Sequence, residues 1–206
     1  MTATPPRVLD RGRELVQPAM RAAIERVDDA LLRRIAGYHL GWLDVDGAPI
    51  DVGGGKAIRP TLAVLSAEAG GGTAGDGVPA AVAVELVHNF SLLHDDIMDR
   101  DVERRHRPTG WVVYGEGQAI LAGNAMLTAA VQVLVDSGPG GQRALPFLLA
   151  AVQQLIRGQS EDLVLEGRPG VGLHEVLHME AGKTAALLAC ASSIGAVAAG
   201  AGPDVV

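Results

Sequence analysis

Residues 79–99 read PAAVAVELVHNFSLLHDDIMD, and this stretch decides the fold. Pro79 suits the first turn of a helix. From Ala80 to Met98 no breaker follows, so the stretch predicts one long helix ending in Asp95, Asp96 and Asp99. Asp95 and Asp99 are four apart and share a face one turn apart, with Asp96 beside them. Carboxylates at a helix C-terminus face the negative end of its dipole, which is unfavourable unless a cation compensates. Hard divalent cations prefer carboxylate oxygens, and magnesium commonly shares its shell with water and phosphate.

Working outward from that helix, residues 101–109 read DVERRHRPT. Arg104, Arg105 and Arg107 follow the carboxylates closely, and guanidinium groups bind phosphate with a fixed fork geometry. Carboxylates for a metal beside arginines for an anion describe a metal–diphosphate clamp.

The remaining chain reads as helices with short connections. Val8, Leu15, Val16, Met20, Ile24, Val27, Leu31 and Ile35 fall at helical spacing within 8–46, which predicts one or two helices. Gly47-Ala-Pro49 breaks that pattern, and Gly53-Gly-Gly55 gives a flexible lead into a helix from Pro60 to Ala69. Gly70–Gly77 reads as a loop. Further helices are predicted at 116–136, 143–166 and 173–199, with a loop around Gly138-Pro-Gly-Gly141. No strand pattern and no internal repeat is evident, so the class is all-α, one domain over 1–206.

Composition agrees: 48% of residues are hydrophobic but only 3% aromatic, which suits closely packed helices. The formal net charge of −7 leaves no basic footprint for nucleic acid. Cys190 stands alone, so no intrachain disulfide is possible. The N-terminus carries no apolar signal segment, and a cytoplasmic enzyme is the simplest expectation. The apolar run Ala185–Gly202 is broken by Ser192, Ser193 and glycines and is expected to be a buried helix, with no transmembrane segment.

Several blocks, in order, resemble the trans-isoprenyl diphosphate synthases of the polyprenyl synthetase family. They are Gly54-Gly-Lys56-Ala-Ile-Arg59-Pro60, Glu85–Asp99, Arg104-Arg105-His106-Arg107-Pro108-Thr109, Gly123-Asn124-Ala-Met-Leu127, Gly158-Gln159-Ser-Glu-Asp162 and Lys183-Thr184. The resemblance implies an isoprenoid synthase-type helical bundle with long antiparallel helices around a central cavity, and a homodimer. It implies Mg²⁺ held by Asp95 and Asp99 with Asp96 in support, and an allylic diphosphate met by Arg104 and Lys183. Lys56, Arg59, His88 and Arg105 would hold isopentenyl diphosphate, and the dipoles of Gln159 and Thr184 would stabilise the cation. The released diphosphate would take the proton. Phe90, Ser91 and Val87 would line the tunnel for the growing chain, which resembles the shorter-product members. The expected product is C15–C20, leaning to C20.

His94, His106, His174 and His178 receive no role in the site. Gly182-Lys183-Thr184 looks like the end of a P-loop, but Leu177 stands where that motif needs glycine. The sequence departs from the family at Ala57, where a basic residue is usual, at His106, where glycine is usual, and at Asn124, where aspartate is usual. The family's second aspartate-rich motif does not occur up to Val206, and the expectation is a truncated or incompletely recorded chain. The alternative is a non-catalytic subunit of a heteromeric synthase. A terpene cyclase is the third reading, disfavoured because it has no need of Lys56 and Arg59.

Overall fold

The computed structural model describes residues 7–50, 52 and 55–205. Gly53 and Gly54, part of the glycine-rich lead into the Lys56 segment, lie outside the described residues, as do the first six residues of the chain.

Helices α1 (Arg7–Glu25) and α2 (Ala30–His39) occupy the first predicted segment. Asp29 separates them. Its carboxylate accepts the backbone N–H groups of Leu31 and Leu32 at 2.8 and 2.9 Å, capping α2. Helix α3 spans Ile58–Ala69.

Helix α4, Ala74–Met98, starts earlier than the glycines suggested. Thr73 and Asp76 form a capping box: the Thr73 N–H donates to Asp76 Oδ2 at 2.8 Å, and the Asp76 N–H donates to Thr73 Oγ1 at 3.4 Å. A Cβ at Gly77 would lie 2.8 Å from the Ala67 side chain and 3.0 Å from the Ala63 carbonyl oxygen. The residues expected as a loop up to Gly77 are therefore partly helical, and Gly77 marks a tight α3–α4 crossing.

Helix α5 (Gly110–Tyr114) leads into α6 (Glu116–Asp136), which matches its predicted limits. Helix α7 runs Gly138–Leu165, so the predicted loop at 138–141 is its first turn, with Pro139 at a position where a missing N–H costs nothing. The predicted single helix at 173–199 is α8 (Leu173–Glu180), a π-helical turn (Ala181–Ala185) and α9 (Ala186–Ala199). The extended structure among the described residues is an isolated Leu43–Pro49 bridge and a hairpin, β1 (Glu103–Arg104) with β2 (Arg107–Pro108), too short to leave an alternating pattern in the sequence.

Helix α4 is the axis of the core. Ala80 to Val84, Leu86 and Val87 are fully buried, against α3, α6, α9 and α1. Burial on nearly all sides explains why its sequence shows a continuous apolar run with little amphipathic pattern. By length and composition alone, Glu116–Asp136 and Leu173–Ala199 are apolar enough to cross a membrane, yet 39% and 56% of their most apolar windows lie inside the fold. A core helix has that same composition.

Candidate functional site

The C-terminal end of α4 sends its carboxylates two ways. Asp96 is wholly buried, and one of its oxygens, Oδ1, accepts Arg104 Nε at 2.7 Å and Nη2 at 2.6 Å. Its other oxygen has no partner among the described residues. Asp95 is only partly covered, and Asp99 caps the helix in the open. Burial, aided by Asp99 and Asp96 and opposed by Lys183 and Arg104, pushes the Asp95 carboxyl up to about 6.

Among the described residues no three His, Cys, Asp or Glu side chains converge as a ready metal cage. The pair Asp95 and Asp99 nevertheless fits Mg²⁺, which is commonly held by one or two carboxylates plus substrate phosphate. A carboxyl raised toward 6 by burial and like charges is one that a cation would stabilise in its ionised form. Asp96, expected to share in the metal site, is instead turned to Arg104.

The hairpin carrying Arg104 and Arg105 turns through Arg105 and His106, whose φ values are 54° and 61°. Both central residues are thus left-handed, the requirement of a tight hairpin turn, at a steric cost for side chains with a Cβ. The hairpin is fastened on both sides. Arg107 donates to the carbonyl oxygens of Tyr38 and Leu43 at 3.1 and 2.8 Å and lies 4.1 Å over the Tyr38 ring. Thr109 and Trp111 both donate to the Asp101 carbonyl, at 2.8 and 2.7 Å.

Two turns up α4 from Asp95, His88 Nε2 lies 3.4 Å from an Arg59 nitrogen. Arginine only donates, so Nε2 accepts and the ring proton sits on Nδ1. Burial and the cations Arg59, Arg105 and Arg104 push His88 down to about 3. His39 behaves likewise: burial, then Arg105, Arg104 and His88, push it down to about 3, and its Nε2 is buried without a partner among the described residues. Glu85 is the nearby counter-charge, with its carboxyl raised by burial and held back by Asn89, Arg59 and Arg105. Three guanidinium groups around two neutral imidazoles make this end of the site attractive to an anion. Lys56 is exposed just ahead of α3, and Ala57 beside it adopts φ 54°.

The opposite wall is α7 and the π turn. A Cβ at Gly158 would lie 2.2 Å from the Lys183 backbone nitrogen, so the two segments touch backbone to backbone. That contact places Lys183 against Asp162, with which it pairs. Burial works against the Lys183 charge, but Asp162, Asp95 and Asp99 outweigh it and raise its pKa. Gln159 is buried, and neither polar atom of its amide has a partner within the described chain. Thr184 stands apart: it is exposed and donates to Glu180 at 2.8 Å.

Phe90, Ser91 and Val87 are all buried on α4, and the Ser91 hydroxyl donates to the His88 carbonyl at 2.9 Å. The structure thus brings Asp95 and Asp99 within electrostatic reach of Lys183, and His88 within reach of Arg59 and Arg105, while Gln159 follows the Gly158 that meets Lys183. It leaves Lys56 and Thr184 at the margin. Sequence reading missed His39, which no spacing ties to the motifs. Glu85 and Asp162 lay inside quoted blocks, and their ionisable side chains were the signal available.

The polyprenyl synthetase family model matches residues 50–206. The chain is 49% identical over 195 residues to the (2E,6E)-farnesyl diphosphate synthase of Mycobacterium tuberculosis, covering 94% of this chain and 54% of that protein. It is 44% identical to the geranylgeranyl diphosphate synthase of the same organism, covering 94% and 56%. The crystal structure of a polyprenyl synthetase from Streptomyces coelicolor A3(2) superposes with a TM-score of 0.93 at 52% identity, over 98% of this chain and 60% of that one. The chain spans about half the length of the curated relatives it matches.

Proposed function

This chain belongs to the polyprenyl synthetase family, and from that premise we propose that it is a prenyl transferase that joins isopentenyl diphosphate to an allylic diphosphate in the presence of Mg²⁺. The observation that carries the reading is the spacing of two anion-binding regions along α4. His88 and Asp95 are seven residues apart on one face, which is about 10 Å along a helix. Arg59, Arg105 and neutral His88 form the cationic region, and Asp95, Asp99 and Lys183 form the metal-assisted one.

Each side chain then has a definite task. Asp95 and Asp99 would hold Mg²⁺, which when bound neutralises the leaving diphosphate and favours ionisation of the allylic carbon–oxygen bond. Lys183, held in place by Asp162, adds a fixed positive charge to that diphosphate. Arg59 and Arg105, with Lys56 at the margin, hold the second diphosphate, and His88 shapes that pocket through hydrogen bonds without adding charge. Arg104 serves mainly by pairing with Asp96, which fixes the hairpin that carries Arg105. The Gln159 amide, without a partner among the described residues, can orient its dipole toward a developing cation.

The relatives named for farnesyl and geranylgeranyl products support a C15–C20 product, and we favour C20. A homodimer through α6 is part of the proposal, supported by Ile120, Leu121 and Val135, which are 41%, 51% and 45% exposed there. The deciding assay offers isopentenyl diphosphate, allylic diphosphates and Mg²⁺ to the chain and to any longer natural form, with products separated by chromatography. Chain elongation supports the proposal; no elongation of any allylic substrate by either form sinks it.

A further inference from the structure

Phe90 and His94 stand one turn apart on α4, and their rings meet edge to face, with centroids 4.8 Å apart and planes at 71°. The far side of the imidazole reaches α6, where Nε2 lies 3.1 Å from the Ile120 carbonyl oxygen. A carbonyl only accepts, so Nε2 carries the proton and donates. The ring sits directly over Gly123: a Cβ there would come within 2.5 Å of Nε2 and 2.6 Å of Cδ2. Gly123 opens the slot, Ile120 holds the imidazole in it, and the imidazole backs the Phe90 ring.

We infer that His94 is a positioning residue that sets the usable depth of the prenyl cavity by holding Phe90 against the α4–α6 seam. The inference rests on the prenyl transferase reading above and on the expectation, drawn from the family resemblance, that Phe90 lines the tunnel for the growing chain. A side chain hydrogen-bonded to a neighbouring helix cannot follow a swing of Phe90. Without it, a space the size of an imidazole opens beside the phenyl ring, and the ring can turn into it. The length limit then depends on Gly123, a residue of another helix, as well as on the size of residue 90.

The test measures binding of unreactive allylic thiolodiphosphates with C10, C15, C20 and C25 tails, by calorimetry with Mg²⁺, to the chain and to any longer natural form. In the wild type, affinity is expected to fall about tenfold or more from the C20 to the C25 tail, the scale set by apolar surface left unburied. His94→Ala should reduce that step to about threefold or less. Gly123→Ala should do the same with the histidine present, because the added methyl expels the ring. The double variant should match His94→Ala, as coupled sites do. Uniform weakening of all four tails in the variants marks a merely structural histidine and overturns the inference. So does a wild-type tail profile in both variants, while the wild type's own discrimination leaves the prenyl transferase reading standing. A wild type that binds none of the tails overturns that reading and the inference with it. Should His94→Ala fail to fold by circular dichroism, the Gly123→Ala profile decides.

Discussion

Arg104 donates two N–H groups to a single oxygen of Asp96, a carboxylate that solvent does not reach. The pair ties the hairpin to the last turn of α4, so removing one partner leaves the other stranded. Arg104→Ala would strand a buried carboxylate and is expected to lower unfolding free energy by about 3 kcal/mol, read from urea denaturation. Asp95 next door is the contrast, since burial and its acidic neighbours already disfavour its charge. Asp95→Asn should cost no stability at pH 7 while abolishing Mg²⁺-dependent binding of an allylic diphosphate and all turnover. Equal stability losses for the two variants would contradict this division of labour.

His106 is fully exposed and left-handed, with φ 61°. A left-handed residue with a Cβ pays roughly 1 kcal/mol that glycine does not. The contact to Glu103, 3.7 Å away and largely in solvent, offers little in return. His106→Gly is therefore expected to raise stability by roughly 0.5–1 kcal/mol, the ordinary scale for relieving a strained turn. A thermal melt that falls would show that the histidine contributes more than the turn costs.

These two sites show what a linear reading can reach. The carboxylates of α4 and the arginines after them lie within a few residues of each other, and helical spacing alone placed Asp95 and Asp99 together. The hairpin that orients the arginines was invisible, because strands of two residues carry no periodicity. Glycines misled at both ends of the problem. Those at 75 and 77 and at 138, 140 and 141 looked like loop residues but lie in helices, where Gly77 and Gly141 face close packing. The sequence could not reveal His39 either, since its burial beside Arg105 and His88 depends on how α2 docks.

That buried pair of imidazoles predicts an acid limb of instability. His39 and His88 are held near 3 in the fold, below the ordinary histidine value of 6.5. Between those values the unfolded chain binds a proton that the native chain refuses, so stability rises with pH there and falls on acidification below about 6.5. Each histidine contributes a slope of about 1.4 kcal/mol per pH unit within that window. Asp95, raised to about 6, works in the opposite direction between its unfolded value and 6. Denaturation of the wild type and of His39→Asn at pH 7, 6 and 5 separates these contributions. The variant should lose about half of the histidine-driven slope; an unchanged slope would mean that His39 accepts its proton within the fold.

The π turn makes the most demanding prediction, because it links a glycine on α7 to the charge on Lys183. Helices with an inserted residue are rare and concentrate at functional sites. Here the insertion brings the Lys183 backbone nitrogen to a point 2.2 Å from where a Gly158 side chain would begin. The obstacle is main chain, so no rotamer change can relieve it. Gly158→Ala must push α7 away from the turn, parting Lys183 from Asp162 and lifting the ammonium away from Asp95 and Asp99. The expected result is a stability loss of about 2 kcal/mol, together with weaker binding of inorganic diphosphate in Mg²⁺. Lys183→Ala serves as the control. It should weaken diphosphate binding to a similar degree with a smaller loss of stability, because the Lys183–Asp162 pair is partly open to solvent. Equal diphosphate affinity in Gly158→Ala and the wild type would show that the glycine serves packing alone and that Lys183 finds its place without the turn.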